Sequence, residues 1–302
     1  MADVAVALDD VSKAFAHVVA VDHLSLSVPR GVVYGILGRN GAGKTTTIRM
    51  LVGILRPDSG SVRVLDANEP AQIKARLGYL PEEKGLYKKM RVLDLVAYFG
   101  RLKGMTRAAA YSRGRSLLDE FDLRDWHDQK CESLSKGMGQ KVQIVATLIH
   151  DPELIVLDEP FSGLDPVNVE LVRNIVLAQR SRNRTVLLST HVMEQAEQIC
   201  DGLILINHGR KLFDGTMGEI RRASQRTISI DYDGDGAFLK HLPGVGRVND
   251  AGRHAELSLD ADADDQAILA TLVDRLTIRR FDTREASLHE IFVRAVGEDS
   301  GH

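Results

Sequence analysis

Apolar residues recur along the first part of the chain in short runs separated by turn-forming residues. The runs at 24–28, 32–37 and 61–66 ("LSLSV", "VVYGIL" and "SVRVLD") predict strands, because each is strand-sized and bounded by turn signals. Between the second and third runs, "TTTIRMLVGIL" at 45–55 predicts a helix that ends at "RPDSG". The pattern indicates strands arranged around one early helix.

Strand signals vanish between about residues 84 and 150, where helical periodicity dominates, as in "VLDLVAYFGRLKG" at 92–104. Strands return at 154–158 and 185–189 ("LIVLD" and "TVLLS") as continuous apolar runs, which are typical of parallel strands covered on both faces. The predicted fold class is therefore α/β, with a parallel-sheet core and a helical subdomain inserted at about 84–150.

The pattern changes again from Gln225, where apolar and polar residues alternate with period two in "RTISIDYD" and "HAELSLD". A helical pattern, "DDQAILATLVDRL", follows. We interpret residues 224–302 as a small C-terminal α+β domain of roughly 75 residues, a size that folds independently. Because it carries no phosphate or metal motif, we expect an accessory or regulatory role, and residues 1–223 form the main domain.

Composition excludes several classes of protein. The chain has 302 residues, and 39 Lys and Arg against 42 Asp and Glu leave a net charge of −3, so no positive field indicates nucleic acid. Two cysteines, Cys131 and Cys200, fit buried thiols in a reducing cytoplasm. The start "MADVAVALDD" lacks the basic residues of a secretory signal, and apolar runs such as "LILI" fall far short of the ~20 residues of a membrane span. We expect any membrane role to depend on a partner.

The segment "GRNGAGKT" lies between a predicted strand and a predicted helix, which is the context a phosphate-binding loop (P-loop) requires. Its glycines let backbone N–H groups turn inward around phosphates, and the helix N-terminus favours negative charge. Lys44 would reach the β and γ phosphates, and Thr45 would offer its hydroxyl to Mg²⁺. The expected nucleotide contacts of this P-loop NTPase core are Gly38, Arg39, Asn40, Gly41, Ala42, Gly43, Lys44, Thr45 and Thr46.

Acidic residues follow a second core strand in "LIVLDEP". Asp158 ends the strand and should hold Mg²⁺, and Glu159 is placed to orient or deprotonate the water that attacks in phosphoryl transfer. "TVLLSTH" places His191 just past another strand, and ligands of parallel sheets bind beyond the carboxyl ends of strands. We therefore expect His191 to contact the γ-phosphate, and the catalytic residues to be Lys44, Glu159 and His191.

Four motifs occur in order: "GRNGAGKTT", "LSKGM", "LIVLDEPFSGLDP" and "LLSTH". Through them, residues 1 to about 220 resemble the ATP-binding subunit of ABC transporters. The resemblance implies that two subunits stack head to tail and that "LSKGM" of one chain closes over the ATP held by the other. The residues that would bind ATP in trans are Ser135, Lys136, Gly137 and Met138, at the start of a helix that Ser135 would cap in either case. The loop through which the subunits would sense each other is Ser162, Gly163, Leu164 and Asp165.

Single positions elsewhere in the chain can also be compared with the family pattern. Phe15 matches the aromatic residue that stacks on adenine, although packing within a strand is an equal alternative. Arg39 replaces a common Pro, and Lys136 and Met138 stand where Gly and Gln are common. The signature residues that touch phosphate are retained, so the resemblance still implies that ATP closes the dimer.

The sharpest departure is Glu82, which stands where the family usually has Gln. The resemblance implies that Thr45, Glu82 and Asp158 hold Mg²⁺, for which a carboxylate is a stronger hard ligand than an amide. The alternative is that Glu82 swings to solvent, where Lys84 or Lys88 neutralises it.

The resemblance also implies partners. Residues 78–90 ("GYLPEEKGLYKKM") match the segment that faces the membrane partner, and "ASLHEIFVRAVG" at the C-terminus is similar to exporter-type ATPases with a separately encoded permease. The implied protein is a Mg²⁺-dependent ATPase that pairs with a second copy of itself or a homologous ATPase subunit. It would drive an integral membrane permease, with export favoured, as a cytoplasmic protein peripheral on the inner face of the cell membrane. No nucleic acid is expected as a partner.

Two alternatives remain. A soluble ABC-type ATPase could act on a non-membrane partner, but the ribosomal kind carries two cassettes and the chromosomal kind needs a long coiled coil between P-loop and "LSKGM". An unrelated P-loop kinase would have no use for "LSKGM" or "SGLD". The transport ATPase is therefore the favoured reading, and its cargo is not encoded in this chain.

Overall fold

A computed structural model describes residues 3–82, 85–223, 226–260, 263–284, 287, 288 and 290–293. Its strands are β1 (Val4–Phe15), β2 (Val18–Pro29), β3 (Val33–Leu37), β4 (Ser59–Val64), β5 (Leu77–Leu80), β6 (Leu154–Asp158), β7 (Thr185–Thr190), β8 (Gly202–Asn207), β9 (Arg210–Thr216), β10 (Thr227–Asp233), β11 (Val245–Asp250), β12 (His254–Leu259) and β13 (Thr277–Arg284). Its helices are α1 (Lys44–Leu51), α2 (Val92–Leu102), α3 (Arg107–Glu120), α4 (Lys136–Leu148), α5 (Pro166–Ser181), α6 (Met193–Ile199), α7 (Met217–Ala223) and α8 (Asp265–Arg275).

Two compact units divide the chain, Met1–Gly215 and Thr216–His302. The boundary differs from the predicted 223/224, because the alternating pattern from which it was predicted begins only after α7. Helix α7 belongs to the second unit, and a reciprocal cap starts it: the Thr216 hydroxyl accepts the Glu219 N–H, and the Glu219 carboxylate accepts the Thr216 N–H at 2.8 Å. Residues 224 and 225 lie outside the described residues.

Two sheets in the first unit share one hydrophobic core. The antiparallel sheet has the order β2-β1-β4, and the larger sheet has the order β5-β6-β7-β3-β8-β9, in which the pairs from β5 to β8 are parallel. Every residue of β3, β6 and β7 is buried, which explains their continuous apolar sequences. The predicted α/β fold class with a parallel sheet is confirmed. Because β6, β7 and β3 are neighbours, their carboxyl ends meet at one edge.

Helices α2, α3 and α4 are inserted between β5 and β6, where the sequence predicted a helical subdomain. Gly100 on α2 permits a close crossing, because a Cβ there would lie 3.0 Å from the side chains of Ile149 and Met105. Residue 84, the predicted start of the insert, lies outside the described residues.

The second unit is an antiparallel sheet of order β11-β12-β10-β13 with helix α8. Alternate residues of β10 (Ile228, Ile230 and Tyr232) are buried in a core that includes Ile268 and Leu272 of α8. This is the α+β arrangement predicted from the period-two pattern. Much of the predicted C-terminal segment, residues 294–302, lies outside the described part of the chain.

Two expectations from composition can be compared with the structure. Cys131 and Cys200 are free and buried. In the described ranges, no helix is both long and apolar enough to cross a membrane.

His150 follows α4 and is packed against β5. Its Nε2 lies 3.0 Å from the carbonyl oxygen of Leu77, to which it donates as the neutral ring, while Nδ1 is buried without a partner in the described structure. Burial lowers the pKa of His150 to about 4, and the Lys103 and Arg113 charges act in the same direction, against that hydrogen bond and the Asp151 charge. The imidazole is therefore neutral in the folded protein at pH 5.

The first prediction concerns His150→Gln, which keeps an N–H donor but cannot take up a proton. In the wild type the unfolded chain binds a proton on His150 below about pH 6.5 and the folded chain does not, so stability falls as the pH drops towards about 4. Between pH 7 and pH 5, the free energy of unfolding should fall by about 2 kcal/mol less in the variant than in the wild type. Denaturant unfolding at the two pH values measures this difference. The exposed His17→Gln control should follow the wild type. Equal losses in His150→Gln and wild type would contradict the assignment.

Candidate nucleotide site

The loop after β3 is shaped by glycine before α1 begins at Lys44. Gly43 has φ +107°, and a Cβ there would collide with the carbonyl oxygen of Ala20 on β2, so only glycine fits. Gly41 has φ +81°, and no atom lies within 4 Å of where its Cβ would be. The loop is therefore packed closely against β2 on one side and leaves room for a ligand on the other.

Lys44 extends back across this loop. Its Nζ donates to the carbonyl oxygens of Gly38 at 2.7 Å and Arg39 at 3.2 Å. The same ammonium lies 3.2 Å from Oε1 of Glu159, and both side chains are buried. A positive charge is thus fixed between the P-loop and the end of β6.

Asp158 is 1% exposed at the end of β6. Its Oδ1 accepts the Ser189 hydroxyl at 2.5 Å and the Thr45 hydroxyl at 3.3 Å. Burial raises the pKa of Asp158, the two hydroxyl bonds lower it, and the charges of Glu82 and Glu159 raise it further. Ser189 can reach Asp158 because β6 and β7 pair directly and place the two residues opposite each other.

The residues around Asp158 fit Mg²⁺. Its Oδ2 is buried and has no hydrogen-bond partner among the described residues, so a cation would satisfy it. The described residues contain no group of three or more His, Cys, Asp or Glu side chains able to enclose a metal by themselves. Mg²⁺ is commonly bound through one or two carboxylates together with substrate phosphates, and Asp158 offers such a carboxylate.

Glu159 is 5% exposed and has φ +48°, a left-handed conformation that costs a non-glycine residue about 1–2 kcal/mol. Its N–H donates to Ser189 Oγ at 2.9 Å, and its Oε2 lies 2.9 Å from Nδ1 of His191. With Lys44 at Oε1, the carboxylate is held on both oxygens. The pairing of His191 with Glu159 was not part of the sequence prediction.

A cleft of about 320 Å³ opens over the P-loop. It brings together most of the predicted nucleotide and acid residues: Arg39, Asn40, Gly41, Ala42, Gly43, Lys44, Thr45, Thr46, Glu82 and Glu159. The structure adds four residues that the sequence analysis missed: Val18, Val19, Ala20 and His208. For two of them the sequence did offer a signal, the apolar pair Val18 and Val19 at the start of β2. The structure shows that both side chains are exposed.

Phe15 and Glu82, two other predicted site residues, differ in their relation to this cleft. Phe15 does not line it, but its ring is 44% exposed and pairs across the β1–β2 hairpin with Val18, which does. Glu82 is exposed and lines the cleft. Lys88 forms no ion pair with Glu82 among the described contacts, and Lys84, the other proposed neutraliser, lies outside the described residues.

The "LSKGM" residues lie elsewhere in the chain. Ser135 caps α4, as predicted, by accepting the Met138 N–H at 3.3 Å. Ser135 and Lys136 line a second cleft of about 480 Å³, which shares no lining residue with the P-loop cleft. Within one chain the structure therefore does not bring these residues to the nucleotide cleft.

The "SGLD" loop lies between β6 and α5. Its Ser162, Gly163 and Asp165 are exposed, and Leu164 is partly buried. Asp165 caps α5 by accepting the Asn168 N–H at 3.0 Å, and this bond holds the pKa of Asp165 below its usual range. The aspartate thus has a local structural role besides any contact with a partner.

Comparisons with known proteins agree with this geometry. The ABC transporter family profile matches residues 21–162, and that of the C-terminal domain of DrrA1-3-like ATP-binding proteins matches residues 215–296. An uncharacterized ABC transporter ATP-binding protein of Bacillus subtilis, YhaQ, is 40% identical over 96% of this chain and 98% of its own length.

Two further proteins extend the comparison. The daunorubicin/doxorubicin resistance ATP-binding protein DrrA of Streptomyces peucetius is 34% identical over 92% of this chain and 88% of its own length. A solved structure of an ATP-binding subunit of an ABC transporter has a TM-score of 0.66 and 30% identity, covering 72% of this chain and 92% of that one. The chain therefore belongs to the ATP-binding subunits of ABC transporters, which are ATPases.

Proposed function

We propose that this ATPase works as a head-to-tail dimer around two ATP molecules and drives a membrane permease in export. The observation that carries the proposal is the separation of two half-sites in one chain. The P-loop, Glu82 and Glu159 line one cleft, while Ser135 caps a helix at another. Each half-site is completed when a second copy of the chain, or a homologous subunit, supplies the other half.

Hydrolysis would follow from the residues of the first cleft. Backbone N–H groups of the P-loop and Lys44 would bind the phosphates, and Thr45, Asp158 and Glu82 would hold Mg²⁺. Mg²⁺ would neutralise charge that develops on the phosphates. Glu159 would orient the attacking water and accept its proton, since its carboxylate lines the cleft and is held in position by Lys44 and His191.

His191 and Phe15 have supporting roles in this proposal. His191 steadies Glu159 through its Nδ1, and Nε2 remains available to the γ-phosphate. The exposed ring of Phe15, beside the cleft residues Val18 and Val19, offers a stacking surface to adenine. Its exposure supports this role over packing inside the sheet.

The permease would contact an apolar region of the helical insert. A groove of about 440 Å³ is lined by Leu80, Leu95 and Phe99, among others. Beside it, Tyr87 and Tyr98 are exposed and pack edge to face with ring centroids 6.0 Å apart. Exposed aromatic side chains around an apolar groove are typical of a protein-binding surface. We propose that an apolar permease segment docks there, which would place the chain on the cytoplasmic face of the membrane.

Export is proposed from the relatives and from the second unit. DrrA is named for drug resistance, and its type of C-terminal domain matches residues 215–296 here. We propose that this unit has a regulatory or dimer-supporting role. Its buried core and antiparallel sheet support an independently folded accessory domain.

The second prediction concerns Glu159→Gln. The substitution keeps the side-chain shape and leaves the P-loop intact, so ATP should bind normally while kcat falls by roughly 10²–10⁴, the usual contribution of a general base. ATPase assays, an ATP-binding titration and size-exclusion chromatography would measure this, with ATP-bound dimer accumulating. Glu170→Gln, on the surface of α5, is the matched control. A wild-type rate in Glu159→Gln would remove this residue from the mechanism.

The third prediction tests shared sites. A Lys44→Ala chain and a Ser135→Arg chain should each be inactive alone. Their mixed dimer contains one site with an intact P-loop from the second chain and an intact "LSKGM" from the first. ATPase activity should therefore reappear on mixing. No activity above that of the separate variants, in a sample where mixed dimers are shown to form, would argue against sites shared between chains.

The fourth prediction concerns Glu82→Gln. If the carboxylate binds Mg²⁺, replacing it by a weaker neutral ligand should raise several-fold the Mg²⁺ concentration that gives half the maximal ATPase rate. The rate at saturating Mg²⁺ should change less. Glu120→Gln, far along the chain on α3, serves as the control. Overlapping Mg²⁺ curves for Glu82→Gln and wild type would show that Glu82 is a surface acid only.

A further inference from the structure

A buried hydrogen bond joins helix α4 to the loop that carries Glu159. The side chain of Gln140, in the second turn of α4, is 2% exposed, and its Nε2 donates to the carbonyl oxygen of Pro160 at 2.9 Å. Pro160 directly follows Glu159 in the chain. A residue of the helix that Ser135 caps is therefore bonded to the backbone carbonyl of the residue that follows the proposed general base.

Two further close approaches join the same helix to the chain after β6, one to the loop and one to the start of α5. The ammonium of Lys136 rests against Gly163, where any Cβ would collide with it. The side-chain amide nitrogen of Asn168 lies 2.6 Å from the position that a Cβ on Gly137 would take. Glycine at 163 lets Lys136 of α4 lie close to the loop after β6, and glycine at 137 lets the first turn of α4 lie close to the start of α5.

The backbone of Glu159 needs such support. Its φ of +48° is uncommon for a residue with a side chain, and a following proline further restricts the helical conformations. The Ser189 hydroxyl accepts the N–H on one side of Glu159, and Gln140 donates to the carbonyl on the other side, that of Pro160. The first bond fixes the Asp158–Glu159 peptide, and the second fixes the Pro160–Phe161 peptide, one residue beyond Glu159. Together they hold the chain on both sides of Glu159 and so limit the direction in which its carboxylate points.

We propose that Gln140 is a positioning residue for Glu159, and that through it the helix whose first turn binds the partner's ATP sets the orientation of the general base in its own chain. The proposal rests on the role of Glu159 proposed above. The chemistry of Gln140 supports the proposal. Its Oε1 is buried with no partner in the described structure, so an amide at this position costs free energy that an apolar side chain would not. The one interaction that only the amide provides is the bond from Nε2 to Pro160.

Gln140→Met tests this, because it removes the donor at nearly constant volume. We expect kcat to fall roughly tenfold to a hundredfold, since small misplacements of a catalytic group have effects of that size, with the affinity for ATP within about twofold of wild type. Gln179→Met, the same substitution on α5, lies at neither cleft and shows no side-chain bond to the Glu159 loop in the described structure, so this variant should hydrolyse ATP normally. In a Glu159→Gln background, Gln140→Met should lower the residual rate by less than about twofold, because the carboxylate that it positions is already gone.

The outcomes separate this inference from the function on which it rests. If Gln140→Met keeps the wild-type kcat while Glu159→Gln is inactive, the inference fails and the proposed function stands. A full additional loss in the double variant would indicate a merely structural role and would also overturn it. A wild-type rate in Glu159→Gln would defeat the proposed function first. Should thermal unfolding show that Gln140→Met folds poorly, Gln140→Leu is a second apolar replacement that also removes the donor, and the same loss of kcat is expected.

Discussion

Two adjacent carboxylates buried at the end of β6 are the constraint on which the nucleotide site depends. Asp158 and Glu159 are almost completely shielded from water, and a buried charge is costly unless other groups offset it. Ser189 and Thr45 donate to Asp158, and Lys44 and His191 face Glu159. The order β6-β7-β3 brings these groups to one sheet edge, so the topology of the sheet and the chemistry of the site are a single arrangement.

The ammonium of Lys44 links the two halves of this arrangement. It bonds to carbonyl oxygens of the P-loop and faces Glu159 across the cleft. A triphosphate bound in the cleft would compete with Glu159 for the same positive charge, and Mg²⁺ would offset the negative charge that the phosphates add beside Asp158. Nucleotide binding and the position of the Glu159 carboxylate would therefore be coupled through one lysine.

The second cleft is the basis of the proposed dimer. Ser135 and Lys136 lie on α4, away from the P-loop, yet α4 is bonded to the loop of Glu159 through Gln140. A ligand bound at the start of α4 would therefore act on the acids of the same chain. Coupling between two ATP molecules in a dimer requires a physical connection of this kind within each subunit.

Much of the fold and part of the site follow from the sequence alone. Continuous apolar runs predicted β6 and β7, and the spacing of glycines and Lys44 predicted the P-loop, because burial and phosphate binding leave local patterns. Asp158 and Glu159 could be named because they follow a buried strand. The resemblance to ABC transporter subunits was carried by motifs that are each only a few residues long.

Only the tertiary structure decided which distant residues meet. Ser189 bonds to Asp158 because β6 pairs with β7, and Gln140 reaches Pro160 because α4 packs on the loop after β6. His208 joins the cleft through the turn that follows β8. The sequence pattern predicts whether a side chain is buried, but it does not predict which residue lies next to it. Strand order and helix packing determine that neighbour, and they depend on the whole chain folding together.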